Sequence, residues 1–123
     1  ILACGARVKD AIQAHEEIYK NYKKKISVYN FHTIKPIDEK KILSIAKSHK
    51  YILTVEEHNI IGGLGSAVAE VIQSANVNNK YFKMIGIKDK YSSIVGDQKF
   101  LRREYEISSE DIYREIKKAC SYI

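Results

Sequence analysis

Proline occurs once and cysteine twice in these 123 residues, and neither an internal repeat nor a low-complexity tract is present. Those absences exclude collagenous, proline-rich and intrinsically disordered chains. Cys4 and Cys120 are too few for a disulfide framework and lack metal-site spacing, so they read as small buried hydrophobes in a reducing, cytoplasmic setting. No apolar run approaches the ~20 residues of a membrane helix, and no basic-then-apolar leader opens the chain, so no membrane partner is expected. The first residues, ILACGARV, lack an initiating methionine and enter directly on a strand-like segment, which reads as a fragment of a longer protein. No Gly-Lys-Ser/Thr occurs, which excludes a P-loop.

What is present is the composition of one folded domain over residues 1–123, with 45% hydrophobic and 29% charged side chains. The 21 Lys and Arg outnumber 15 Asp and Glu, for a net charge of +6. The densest basic run, YKNYKKK at 19–25, interleaves tyrosine with lysine, a pattern that single-strand binders use. No nucleic-acid-binding motif accompanies it, and lysines closing a helix account for it better, so no nucleic-acid partner is expected.

Strand-like and helix-like segments alternate. ILAC is bounded by Gly5, and from Val8 to Tyr22 the positions Val8, Ala11, Ile12, His15, Ile18, Tyr19 and Tyr22 recur at helical spacing. ISVYNF at 26–31 reads as a strand, and Asp38 caps a helix through DEKKILSIAKSHK whose stripe is Ile42, Leu43, Ile45 and Ala46. YILTVE at 51–56 is the next strand, followed by a helix over Leu64 to Ser74 and a strand YFKMIGI at 81–87. KFLRREY suggests a short helix, and Ser108 with Asp111 three residues later opens a last helix bearing Ile112, Ile116, Ala119 and Cys120 on one face. This order predicts a three-layer α/β/α sandwich with a largely parallel sheet, and ligands or partners gather at the carboxyl ends of such strands.

VEEHNIIGGLGSAVAE, residues 55–70, lies at such an end. Its glycines resemble the G-x-G-x-x-G of dinucleotide sites, with Asp89 as a ribose-binding acid, but Val68 stands where the third glycine belongs. A nucleotide- or phosphate-binding module using the Gly62–Gly65 turn is therefore the rival reading. Glu56, Glu57 and His58 are consecutive on an extended segment, so they point to alternate faces and cannot all converge on one metal ion. An acid and base pair among them would need a substrate pocket. The simplest structural role is that one glutamate accepts the backbone amides of the glycine turn and fixes it.

Taken together, ACGARVKDAIQA, FHTIKPID, TVEEHNIIGGLGSAVAE, IGIKDKY, VGDQKFLRREYEIS and EDIYREI resemble, in order and over nearly the whole chain, the C-terminal domain of the transketolase family. Deoxyxylulose phosphate synthases share the EE-then-GG-x-G-S pattern, and 2-oxo acid dehydrogenase β subunits are more distantly similar; His58 and VGDQKFLRREY favour the transketolase side. The resemblance implies a five-stranded mixed sheet, with the fifth strand around Tyr91 to Val95 or elsewhere. It implies a full enzyme that transfers two-carbon ketol units between sugar phosphates, using thiamine diphosphate and a divalent metal (Mg or Ca) held by companion domains. Neither the metal-binding G-D-G motif nor a second α/β domain is in this sequence, so no catalytic, cofactor or metal residue is expected here. The expected role is structural: docking to other domains or a subunit of the same enzyme, as a homodimer or split-subunit assembly, through Glu57, His58, Gly62, Gly63 and Gly65.

Overall fold

The computed structural model describes residues 1–79, 81–91 and 93–120, and strands alternate with helices through most of them. The first strand, β1 (Leu2–Ala3), is short and wholly buried. Gly5 follows at φ +57, a left-handed conformation that costs a glycine little, and turns the chain into α1 (Arg7–Tyr22). The buried face of α1 is Arg7, Ala11, Ala14 and Ile18, at spacings of four and three. Ile12, Tyr19 and Tyr22, expected on that stripe, are instead half-exposed. Two alanines at the contact bring the helix close to the sheet and rotate the larger side chains to its flank. The lysine and tyrosine run closes the helix: Lys23 takes φ +56, donates its amide to the Tyr19 carbonyl at 2.9 Å, and sets its ammonium 5.7 Å from the Tyr19 ring.

Of the 26–31 segment only β2 (Tyr29–Asn30) pairs, because its neighbour β1 offers only two residues to pair with. Asp38 caps α2 (Glu39–Ser48), accepting the Lys41 amide at 2.9 Å. The next strand, β3 (Tyr51–Asn59), runs beyond the expected carboxyl end at Glu56, whereas α3 (Leu64–Ser74) and β4 (Tyr81–Ile87) match their expected spans. Two helices follow, α4 (Gln98–Glu104) and α5 (Ser109–Cys120). The capping box before α5 forms: the Ser108 amide donates to Asp111 Oδ2 at 3.0 Å, and the Asp111 amide donates to Ser108 Oγ at 3.3 Å.

The sheet order is β2-β1-β3-β4, with every pairing parallel. Two expectations are corrected here: among the described residues the sheet has four strands rather than five, and it is parallel rather than mixed. Tyr91 and residues 93–95 carry no strand, and Ser92 lies outside the described residues. A strand there would have to bury one face, yet Tyr91 and Val95 stand fully in solvent.

Along β3 the side chains alternate between two cores. Leu53 and Val55 join Ala3, Ile85 and the inner faces of α1 and α5, while Ile52 joins Leu2, Phe31 and the inner faces of α2 and α3. A sheet buried on both faces needs this near-continuous apolar run, and each fully buried Ile or Leu contributes about 1.5–3 kcal/mol. The three-layer sandwich is thereby built, and the carboxyl edge of the sheet is left to the β3–α3 turn and the segment after β4. Among the described residues no helix is long and apolar enough to cross a membrane.

Candidate functional site

At the carboxyl end of β3 the alternation of the strand sends Glu56 and Glu57 to opposite sides. Glu56 is 1% exposed, and its Oε2 accepts the Leu64 amide at 2.7 Å while Oε1 accepts the Gly65 amide at 2.9 Å. A carboxylate survives such burial only when its charge is met, and here two charge-assisted hydrogen bonds and the positive end of α3 meet it. The remaining turn is also satisfied internally. The Ile61 amide donates to Asn59 Oδ1 at 2.8 Å, the Gly62 amide to Ser66 Oγ at 3.0 Å, and that hydroxyl to the Ile60 carbonyl at 2.8 Å.

The glycines divide by task. Gly62 is exposed at φ +77, where the chain reverses. Gly63 and Gly65 are buried within this chain. A Cβ on Gly63 would lie 1.9 Å from Glu56 Oε2 and 2.7 Å from the Asn59 carbonyl oxygen. One on Gly65 would lie 2.6 Å from the Met84 side chain and 2.8 Å from Thr54 Oγ1. These two positions are glycine because a carboxylate and a neighbouring strand press against them, and they shape the turn from inside. Gly86 on β4, unremarked in the sequence, serves the same end: a Cβ there would come within 3.0 Å of Glu56 Cγ.

Glu57 turns to the other side of the sheet, where its Oε2 lies 3.4 Å from Arg7 Nε and 3.2 Å from an Arg102 terminal nitrogen. Gln98 Nε2 reaches Glu57 Oε1 at 3.4 Å. Arg7 is fully buried, pairs with Asp10 at 3.0 Å, and donates to the Ile107 carbonyl at 3.1 Å. Burial lowers the pKa of Arg7, and the carboxylates of Asp10 and Glu57 oppose that shift. One guanidinium thus ties the start of α1, the end of β3 and the lead into α5. Neither Arg7 nor Arg102 was singled out from the sequence. Arg7-x-x-Asp10 at a helix start was a usable signal for an i,i+3 pair, but nothing local marks the Arg102–Glu57 contact across 45 residues.

His58 is exposed, and its Nδ1 donates to the Asn59 carbonyl at 2.9 Å. Asn59 Nδ2 donates to Asp89 Oδ1 at 3.0 Å, tying the turn to the segment after β4. The sequence features that suggested a dinucleotide are therefore engaged within the chain: Glu56 holds the α3 amides and Asn59 holds Asp89. Among the described residues no group of three or more His, Cys, Asp or Glu side chains is placed to hold a metal ion. What the arrangement does is hold a rigid edge, with Glu57, His58, Ile61 and Gly62 at its outer side.

A family model described as transketolase, C-terminal domain, matches residues 1–112. A putative transketolase C-terminal section of Methanocaldococcus jannaschii is 41% identical over 94% of this chain, which spans 35% of that protein. A 1-deoxy-D-xylulose-5-phosphate synthase of Dehalococcoides mccartyi is 38% identical over 94% of the chain and 18% of its own length. An apulose-4-phosphate transketolase subunit of Actinobacillus succinogenes is 33% identical over 91% of the chain and 35% of its own length. Among solved structures, one titled split gene transketolase, inactive beta4 tetramer, matches 98% of this chain and 38% of its own at 27% identity and a TM-score of 0.85. The chain thus spans between 18% and 38% of these relatives.

Proposed function

The chain belongs to the family of transketolase C-terminal domains, and from that premise we propose that it is the structural and docking domain of a thiamine-diphosphate-dependent transketolase. The full enzyme would transfer a two-carbon ketol unit between sugar phosphates, with companion domains in the same chain or in a partner subunit supplying the chemistry. The assembly would be a homodimer or a split-subunit complex in the cytoplasm. Glu57, His58 and Gly62 would face the companion domain, with Gly63 and Gly65 holding the turn behind them.

The observation that carries this reading is the pair of hydrogen bonds from the α3 amides to Glu56. A diphosphate needs free backbone donors or a cation at a helix N-terminus, and here the chain's own carboxylate already occupies them. The side chains around the turn do not fit thiamine diphosphate and its metal either, since Glu56 and Glu57 point apart and their charges are met by protein donors. A role in deoxyxylulose phosphate synthesis would place the same docking domain beside a different active site, and the 38% identical relative keeps that substrate choice open to assay.

Isothermal titration of the purified chain with thiamine diphosphate and Mg²⁺, NAD and ATP tests the docking reading. No binding heat is expected from any of them. Saturable heat, lost when the Gly62–Gly65 turn is altered, would overturn the reading in favour of a nucleotide or phosphate module.

A further inference from the structure

The segment between β4 and α5 is built unlike the rest of the molecule. Residues 88–97 form no helix or strand among those described, and α4 has no buried residue. Yet this stretch carries large apolar side chains into solvent: Tyr91 is 99% exposed, Val95 96% and Phe100 42%. Ile61, at the tip of the neighbouring β3–α3 turn, is 65% exposed. Isolated exposed apolar residues are ordinary, but four in two adjoining connections at one sheet edge mark an interaction surface. The segment is also tethered. Asp89 is held by Asn59, Gln98 and Arg102 by Glu57, and Asp97 caps α4 by accepting the Phe100 amide at 2.8 Å. Such anchors position a loop without burying it, as binding loops require.

We propose that residues 88–91 and 93–104, together with Ile61, form the docking strap of this domain, and that its occupant is the companion domain of the same enzyme, presenting an apolar depression with an acidic rim. This rests on the docking reading above and names the elements that carry it. Charge chooses the occupant. Lys88, Lys90, Lys99, Arg102 and Arg103 lie in this stretch against Asp89, Asp97 and Glu104; Lys88 is paired with Glu106 and Arg102 with Glu57, just as Asp89 and Asp97 are engaged in the contacts just described. Two copies of a +6 chain meeting through this edge would set lysine against lysine, so self-association through the strap is disfavoured. Since about two-thirds of each similar transketolase chain lies outside the region matched here, the assembled enzyme has protein to cover the strap.

The test uses the assembled enzyme, whether one polypeptide or two subunits. Amide hydrogen exchange should show residues 88–91 and 93–104 strongly protected in the assembly and fast in the isolated 123-residue chain. In the two-chain format, Tyr91→Asp with Val95→Asp should weaken association roughly thirtyfold or more, the loss expected from hot-spot side chains. Ile12→Asp on α1, 45% exposed and outside this stretch, should not. Rising salt should weaken the wild-type complex. If the wild-type domain assembles while these residues exchange as fast as in isolation, the strap is wrong and the docking reading stands. If the strap becomes protected on concentrating the isolated chain alone, the occupant is a second copy and the proposal fails. If no assembly forms and the isolated chain turns over substrate, both fail together.

Discussion

Glu56 and Leu64 are eight residues apart, and the carboxylate of the first accepts the amide of the second at 2.7 Å, taking the position a bound anion would hold at the start of α3. Replacing Glu56 by Ala strands two buried amides and removes two charge-assisted bonds, a loss of about 3 kcal/mol in urea unfolding. Glu56→Gln keeps one acceptor oxygen and should lose roughly half as much. Sulfate should stabilise Glu56→Ala more than wild type, because it can enter the vacated position. Equal sulfate effects would show that the helix start is not an anion position at all.

The two buried glycines differ in what confronts them. A methyl on Gly63 meets Glu56 Oε2 and a backbone carbonyl oxygen that cannot swing away, whereas one on Gly65 meets chiefly the flexible Met84 side chain. Gly63→Ala should therefore cost about 3 kcal/mol and Gly65→Ala about 1–2 kcal/mol. Thermal melts that rank them in the opposite order would contradict the packing described.

Glu57 stands between the cations of Arg7 and Arg102. Glu57→Gln leaves Arg7 fully buried with only Asp10 to neutralise it. Because Glu57 is itself a third exposed, solvent screens part of the loss, which should be about 1–2 kcal/mol. Hydrogen exchange in residues 98–104 should quicken, since α4 loses the Arg102 ion pair to β3 and keeps only a neutral amide contact from Gln98. An unchanged exchange rate would mean that α4 is held by other contacts.

Burial pushes the Cys4 thiol above its ordinary pKa, and the nearby Glu56 carboxylate adds to the rise. The folded state thus keeps the thiol proton more tightly than the unfolded chain does. The stability this contributes is present in full below about pH 8.5 and is lost as pH rises through the higher folded value. In iodoacetamide labelling followed by mass spectrometry, Cys4 of the folded chain should react more slowly than in the urea-unfolded chain, and Glu56→Gln should narrow the gap. Identical rates in both states would count against the shift.

Much of this architecture was legible from periodicity. The spans of α3 and β4, the Asp38 cap and the Ser108–Asp111 box rest on local signals, and local signals suffice for them. The buried face of α1 departs from the hydropathy stripe because hydropathy favours Ile12 and Tyr19, while close helix–sheet approach favours Ala11 and Ala14. The fifth strand was carried over from the family resemblance and is absent among the described residues, where that stretch stands in solvent instead. A glutamate fixing the glycine turn was foreseeable from the chemistry of a carboxylate near free amides; that it is Glu56 rather than Glu57 depends on which way the strand faces. The Arg7–Glu57–Arg102 cluster joins three distant segments, so no window of sequence contains it.

In the function proposed above, this domain organises a ketol-transfer enzyme without performing its chemistry. The most direct test of that proposal is a coupled transketolase assay on the purified 123-residue chain, with thiamine diphosphate, Mg²⁺ and donor and acceptor sugar phosphates, run with and without the companion domains. The account predicts no turnover from the chain alone and turnover once the companion domains are supplied. Sustained ketol transfer by the chain alone would contradict it.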